Sequence, residues 1–273
     1  MTPLPFPSAR RLLALAGLAL GASRPAAAQL GVDRSEILMR PAIAAERVGV
    51  ITVRNVSDRP VQAVVKTEDW DRADDGANRW LPVGSVKGSC GSALTVFPLS
   101  VNLDAGASQS IRLVAHDSLA TLPRECWSAV VLETVQPPGK NGVSYVIRTA
   151  VKVYVEPAGL RAAGEVTAMH VRAGAADADS LEVWFRNSGE RHYVARGTVE
   201  FRRADNSVAA TVELPDYYVL PGARQRALVA MPKLPAGDYL VLSMVDYGGD
   251  EIAAMQLEHT VPTPSAPTKA AGK

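Results

Sequence analysis

Cysteine, histidine and aromatic side chains are scarce in this chain. It has two cysteines, Cys90 and Cys126, and four scattered histidines, His116, His170, His192 and His259. Neither set has the clustered spacing of a metal site, so no metal or other cofactor is expected. There is no G-x-S-x-G elbow, no H-E-x-x-H pair, no glycine-rich phosphate loop and no cysteine–histidine arrangement. The enzyme classes that depend on those motifs are excluded, and a non-enzyme is expected. Charge of one sign is not in excess, with 29 Lys+Arg against 28 Asp+Glu. That balance gives no electrostatic footprint for nucleic acid or an anionic membrane. Beyond residue 28 no apolar run is long enough for a membrane span.

The first residues carry an address. Arg10 and Arg11 precede an apolar or small run from Leu12 to Ala22, and Ala26-Ala27-Ala28 offers small side chains for cleavage after Ala28. This is the anatomy of a secretory signal. As a helix the run rises about 16 Å, roughly half a hydrocarbon core, so it is too short for an anchor. Residues 1–28 are therefore predicted to be a signal peptide, and the rest an exported protein. Removing Arg10, Arg11 and Arg24 leaves it slightly acidic. In an exporting compartment Cys90 and Cys126 are expected to form one disulfide.

Helical periodicity is nearly absent after residue 28. Short β-branched runs broken by turn residues recur instead, which predicts an all-β chain. Val48–Val53, Val61–Thr67, Leu94–Phe97, Ser110–Val114, Trp127–Val135 and Val143–Val155 read as strands, and Asp74-Asp75-Gly76 turns a hairpin back through Arg79-Trp80-Leu81. Glu156-Pro157-Ala158-Gly159 interrupts the pattern. A second series follows at Glu165–Val171, Ser180–Arg186, Tyr193–Arg202, Val208–Leu214, Arg226–Ala230, Tyr239–Val245 and Glu251–Thr260. Each series has the strand count of one immunoglobulin-like unit. The expectation is two immunoglobulin-like β-sandwich domains in series, 29–158 and 159–262, ending in a flexible Pro/Ala/Thr-rich tail, 263–273. Asp69, Asp71, Asp74 and Asp75 miss the spacing of a calcium loop and read as a solvated hairpin tip. Trp184 and Tyr193 read as core.

Four stretches in order carry a resemblance: VGVITVRNVSD at Val48–Asp58, FPLSVNLDAGASQSIRL at Phe97–Leu113, Leu122-Pro123-Arg124-Glu125 with its following strand and Pro137-Pro138, and YVIRTAVKVYVEP at Tyr145–Pro157. Together they make residues 32–157 similar to the PapD-like periplasmic chaperones, which assemble pili by the chaperone–usher route. The resemblance implies an ATP-independent chaperone. Its partners would be a pilus-type subunit that lacks its last strand and an outer-membrane usher. In such a family the chaperone lends a strand to the subunit's groove, with alternate apolar side chains filling it. Val143, Tyr145 and Ile147 match those donor positions, although the same alternation suits a strand that packs only its own core. The family holds the subunit's terminal carboxylate with a lysine and an arginine. Lys152 matches the lysine. The arginine position falls on Glu36, so Arg34 is expected to substitute and Glu36 to turn to solvent or pair elsewhere. The other reading is a non-enzymatic envelope structural or binding protein with a chaperone-like domain. A Glu36–Lys152 ion pair would favour it.

Overall fold

The computed structural model describes residues 29–135, 142–174 and 179–263. The expected signal peptide, the Pro137-Pro138 loop and nearly all of the expected tail lie outside the described residues. Among the described residues no helix is long and apolar enough to cross a membrane.

The first half folds as strands β1 (Leu30–Val32), β2 (Glu36–Met39), β3 (Val48–Asn55), β4 (Val61–Arg72), β5 (Asn78–Leu81), β6 (Leu94–Phe97), β7 (Ser100–Leu103), β8 (Ser108–Ala115), β9 (Cys126–Val135) and β10 (Val146–Val155). They form two sheets, ordered β1-β3-β8-β6 and β2-β10-β9-β4-β5, with β7 paired to β4. Period-2 alternation decides what each sheet buries. Ile51 and Val53 of β3 and Ile111 and Leu113 of β8 face Val130 and Leu132 of β9 and Val151, Val153 and Val155 of β10, all fully buried. The opposite face of the β9 sheet is polar at one end and aromatic at the other. Arg148, Glu68, Glu133 and Lys66 form ion pairs at the start of β10. Trp70, Trp127, Tyr154 and Ala129 form a small apolar cluster at its end, closed by Leu220 of the second half.

The second half has β11 (Gly164–Arg172), β12 (Ser180–Asn187), β13 (Tyr193–Arg202), β14 (Val208–Glu213), β15 (Tyr217–Val219), β16 (Arg224–Ala230), β17 (Gly237–Asp246) and β18 (Ala253–Val261). The sheets run β11-β12-β16 and β14-β13-β17-β18, with β15 on β13. The chain is thus two immunoglobulin-like sandwiches. β15 is absent from the sequence reading because three residues between Pro215 and Pro221 carry too little pattern. A buried asparagine recurs at matching places. Asn55 donates to the carbonyls of Arg59 and Leu103, and Asn187 to those of Arg191 and Val219. Each closes the turn after its strand, which leaves the Asn55 amide committed to the fold.

Cys90 and Cys126 are bridged, with Cα atoms 5.6 Å apart and a sequence separation of 36. Closing such a loop constrains the unfolded chain by about 4 kcal/mol in the entropy model. The bridge holds the 83–90 segment on β9. The buried Asp69 carboxylate supports that segment by accepting the Val86 amide at 3.0 Å and the Ser89 hydroxyl. Asp69 is therefore no part of a solvated tip, contrary to expectation. Asp71 pairs with Arg79 at 2.7 Å and Asp74 with Arg224 at 3.1 Å.

Tyr193 lies in the second core, as expected, but Trp184 does not. Val183 and Phe185 take the inward positions of β12, so Trp184 faces outward under the Arg224 guanidinium, 4.5 Å from its ring. Beside it Glu182 is 1% exposed. Its carboxylate accepts two hydrogen bonds from Arg172 at 2.7 and 2.9 Å and one from the Trp184 indole at 2.7 Å. Arg172 first, then Trp184, outweigh the burial that opposes ionisation and hold the Glu182 pKa at about 2. A depressed carboxylate pKa contributes stability above its unfolded value near 4.5, and that contribution is lost as pH falls toward 2. Because Arg172 is itself half exposed, the contribution is about 1–3 kcal/mol after screening. Glu182→Gln is expected to lower the urea midpoint at pH 7 and to narrow its difference from the midpoint at pH 3. Equal acid sensitivity in the two proteins would refute this assignment.

Candidate functional site

Two features of β10 set it apart. The first is an unpaired edge. On one side β10 pairs with β9 along its whole length, from Val146↔Val135 to Val155↔Cys126. On the other side β2 covers only Lys152–Val155. The Lys152 amide donates to the Ser35 carbonyl at 3.0 Å on that side. By alternation the backbone groups of Val146, Arg148 and Ala150 face the same way. Among the described residues no strand pairs with them. An exposed edge of this kind is a template for an added strand.

The strand expected over Val143–Val155 begins at Val146. Val143 and Tyr145 precede it and are 44% and 59% exposed, with Val146 at 54%. Ile147 is within β10 and half-buried. Val143, Tyr145 and Ile147 have the parity of the core residues Val151 and Val153, and Lys152 has the opposite one. The apolar positions and the cation therefore belong to different faces of one segment.

The second feature is a cleft of about 100 Å³ where the two sandwiches meet. It is lined by Glu36, Arg72, Lys152, Tyr154, His192 and Tyr218, among others. Sites for drug-sized ligands run to about 300–1,000 Å³, so this one suits a single small group. Lys152 Nζ sits 4.6 Å from the Trp70 ring centroid. Arg72, at the end of β4, places its guanidinium 5.7 Å from the same ring and 5.1 Å from that of Tyr218, and donates to the Gly76 carbonyl at 2.9 Å. Burial, then the charge of Arg72, lower the Lys152 pKa, and Glu36 partly offsets them. Burial, with Glu36 adding, raises that of the Tyr154 phenol. Among the described residues neither Lys152 nor Arg72 makes an ion pair. With Glu36 the three leave one net positive charge.

Arg34 is not at this cleft. It lies in the connection before β2, 47% exposed, and pairs with Asp33 at 2.8 Å. That acidic neighbour pairs with it, and the arginine that lines the cleft with Lys152 is Arg72. Glu36 stays on the cleft wall, opposite Lys152 in the parallel register, and it makes no ion pair with a described residue.

The cleft is held at a defined width by contacts between the sandwiches. The tip of the β4–β5 hairpin accepts the Arg226 amide on the Asp74 carbonyl at 2.7 Å, and the Glu125 amide donates to the Glu190 carbonyl at 2.8 Å. The fully buried Glu125 carboxylate receives the His192 backbone amide and lies 2.6 Å from His192 Nδ1. The His192 imidazole stacks on Tyr154 with ring centroids 3.7 Å apart. Sequence reading missed Arg72 and His192. Arg72 lies past the expected strand Val61–Thr67 and His192 was one of four scattered histidines; sheet pairing through β9 brings the first near Lys152, and packing of the second sandwich brings the other.

No protein-family model and no curated protein matches the sequence. The fold is similar to that of a chain in the chaperone–tip adhesin complex of CFA/I fimbriae biogenesis. The TM-score is 0.50 and the identity 15%, over 86% of this chain and 100% of that one. The class 5 fimbriae chaperone CfaA gives a TM-score of 0.48 and 17% identity over 86% and 100% of the two chains. The E. coli chaperone DraB gives 0.42 and 18% over 85% and 98%. At 15% identity the likeness to the first of these is one of fold.

Proposed function

We propose that this chain, which has the two-sandwich fold of the PapD-like pilus chaperones, is an ATP-independent periplasmic chaperone for a pilus-type subunit. It binds by lending the β10 edge, and it passes its client to an outer-membrane usher. The observation that carries the reading is the cleft. A half-buried lysine and an arginine, both without acidic partners among the described residues, stand at the end of a strand whose preceding half has an edge that no described strand pairs with. A subunit that lacks its last strand has the complementary deficit, an apolar groove with unpaired backbone groups. The backbone of Val146, Arg148 and Ala150 supplies the ladder, at about 0.5–1.5 kcal/mol per hydrogen bond. Val143, Tyr145 and Ile147 enter the groove, and Lys152 with Arg72 holds the terminal carboxylate. The open pair Lys152–Arg72 favours this over an envelope structural or binding role, for which a Glu36–Lys152 ion pair was the expected mark.

The test is co-expression in a periplasm with a subunit that lacks its final strand. A soluble one-to-one complex is expected, with the subunit protected from proteolysis. A subunit that aggregates or is degraded to the same extent with and without this chain would sink the proposal.

A further inference from the structure

We infer that a second cavity at the domain junction, apart from the anchor cleft, is a binding site for a small phosphomonoester. It encloses about 510 Å³, within the range of sites for small organic ligands. One wall is the turn at Val86–Gly88, and it is fixed from several sides. The Cys90–Cys126 bridge and the Asp69 carboxylate hold its segment on β9, and the Trp127 amide donates to the Gly88 carbonyl at 3.0 Å. Gly88 lies so close on the Trp127 indole that a Cβ there would come within 2.1 Å of the ring.

The charges that line the cavity do not cancel. Of its acids, Asp71 is taken by Arg79, whose Nε and Nη2 donate to its two oxygens at 2.7 Å, and Asp74 by Arg224 at 3.1 Å. Arg72, Lys87 and Arg124 also line it, and none of them makes an ion pair with a described residue. Glu190 lies within reach of the Arg124 charge but is held by the Arg161 amide at 3.0 Å and guanidinium at 3.6 Å. The three cations come from separate segments: the end of β4, the 83–90 segment and the connection before β9. Lys87 and Gly88 are the central residues of a turn closed by the Ser89 amide on the Val86 carbonyl at 2.9 Å. Their own amides donate to no described residue. The Leu220–Ala223 turn of the second sandwich offers no such donors. Pro221 has no N–H, and the Gly222 and Ala223 amides are engaged by the carbonyls of Asn187 and Leu220. With Val86 it gives the cavity an apolar side. The matching ligand has a compact group of high negative charge joined to a less polar body. A phosphomonoester carries about −1.5 to −2 at pH 7 on three acceptor oxygens, and arginine and lysine suit it. A carboxylate, with one charge and two oxygens, would leave most of the positive charge unanswered. The inference does not depend on the chaperone reading.

The probe is phenyl phosphate, titrated by calorimetry into the intact chain. One-to-one binding is expected. Affinity should fall about tenfold from about pH 8 to about pH 5, as the ester takes up its second proton near pH 6 while the arginines and Lys87 stay charged. Lys87→Ala and Arg124→Ala, both at exposed positions, should each weaken binding roughly ten- to a hundredfold. Gly88→Ala keeps every charge but displaces the turn from Trp127, and should weaken it too. Lys152→Met, which alters only the anchor cleft, should bind phenyl phosphate as the unaltered chain does. Melting curves check that each variant is folded. Vesicles of phosphatidylcholine with phosphatidic acid, which bears the same group on a lipid, separate the two sources. Cosedimentation that is lost in Lys87→Ala assigns a lipid headgroup, and its absence beside phenyl phosphate binding assigns a soluble ester. No binding of phenyl phosphate at millimolar concentration, or equal affinity in the unaltered chain, Lys87→Ala and Arg124→Ala, overturns the inference and leaves the anchor untouched.

Discussion

Ile147→Asp is expected to abolish client capture and leave the free chain folded. Ile147 sits in the part of β10 whose second edge no described strand pairs with, near the rim of the sandwich, and is only half-buried. A carboxylate there remains partly solvated in the free protein. In the complex it would enter an apolar groove, where an unpaired charge costs several kcal/mol. A penalty of about 3 kcal/mol already lowers affinity more than a hundredfold. Tyr145→Asp provides a second variant at a position outside the regular strand, 59% exposed. Retention of a subunit on immobilised protein, at matched expression and with melting curves in parallel, reads the effect. If both variants retain the subunit at the unaltered level, β10 is not the donor.

Lys152 is the second large effect, and two measurements should move in opposite directions. Burial and Arg72 lower its pKa. A base with a lowered pKa in the folded state is charged at a cost. Its contribution to stability is unfavourable at neutral pH and is relieved as pH rises through the folded value. Lys152→Met keeps the stem that packs by Trp70 and removes that cost, so its melting temperature is expected to rise. Capture should fall, because a charge-assisted hydrogen bond to the carboxylate is lost, about 1.5–3 kcal/mol or roughly ten- to a hundredfold. Arg72→Met should weaken capture in the same range, and Arg34→Met should have no effect. The loss in the Lys152 and Arg72 variants should persist at high salt, which screens exposed charges more than half-buried ones. Normal capture by Lys152→Met would show that this cleft anchors nothing. A gain in stability with a loss of binding is what a site with uncompensated charge produces.

The strands were legible because each is a local pattern. The alternation in VGVITVRN says that Ile51 and Val53 face inward wherever β3 lies, and the Asp-Asp-Gly turn says that β4 returns as a hairpin. Lys152 was legible for a related reason: a charge inside an apolar strand of known parity must leave the core. The same parity argument, applied to β12, would have placed Trp184 on the outside.

Arg34 and Arg72 mark where that kind of inference stops. Strand parity told which face a side chain takes, and Arg34 was counted on a strand that begins only at Glu36. Whether a cation is available depends on its neighbours in space. Arg34 is held by Asp33, whereas Arg72 has no acidic partner among the described residues and lies against Trp70 and Tyr218. The two all-β units, the alternation along β10 and the bridging of the two cysteines follow from the chain alone, because short-range periodicity and composition suffice for these. Tertiary structure alone decided the cleft. Residues 36, 72, 152 and 192 converge because β2 pairs in parallel with β10 and because Glu125 clasps His192 across the domain junction. Nothing in local sequence encodes the distance between charges on separate strands, and that distance sets whether they repel, pair or wait for a ligand.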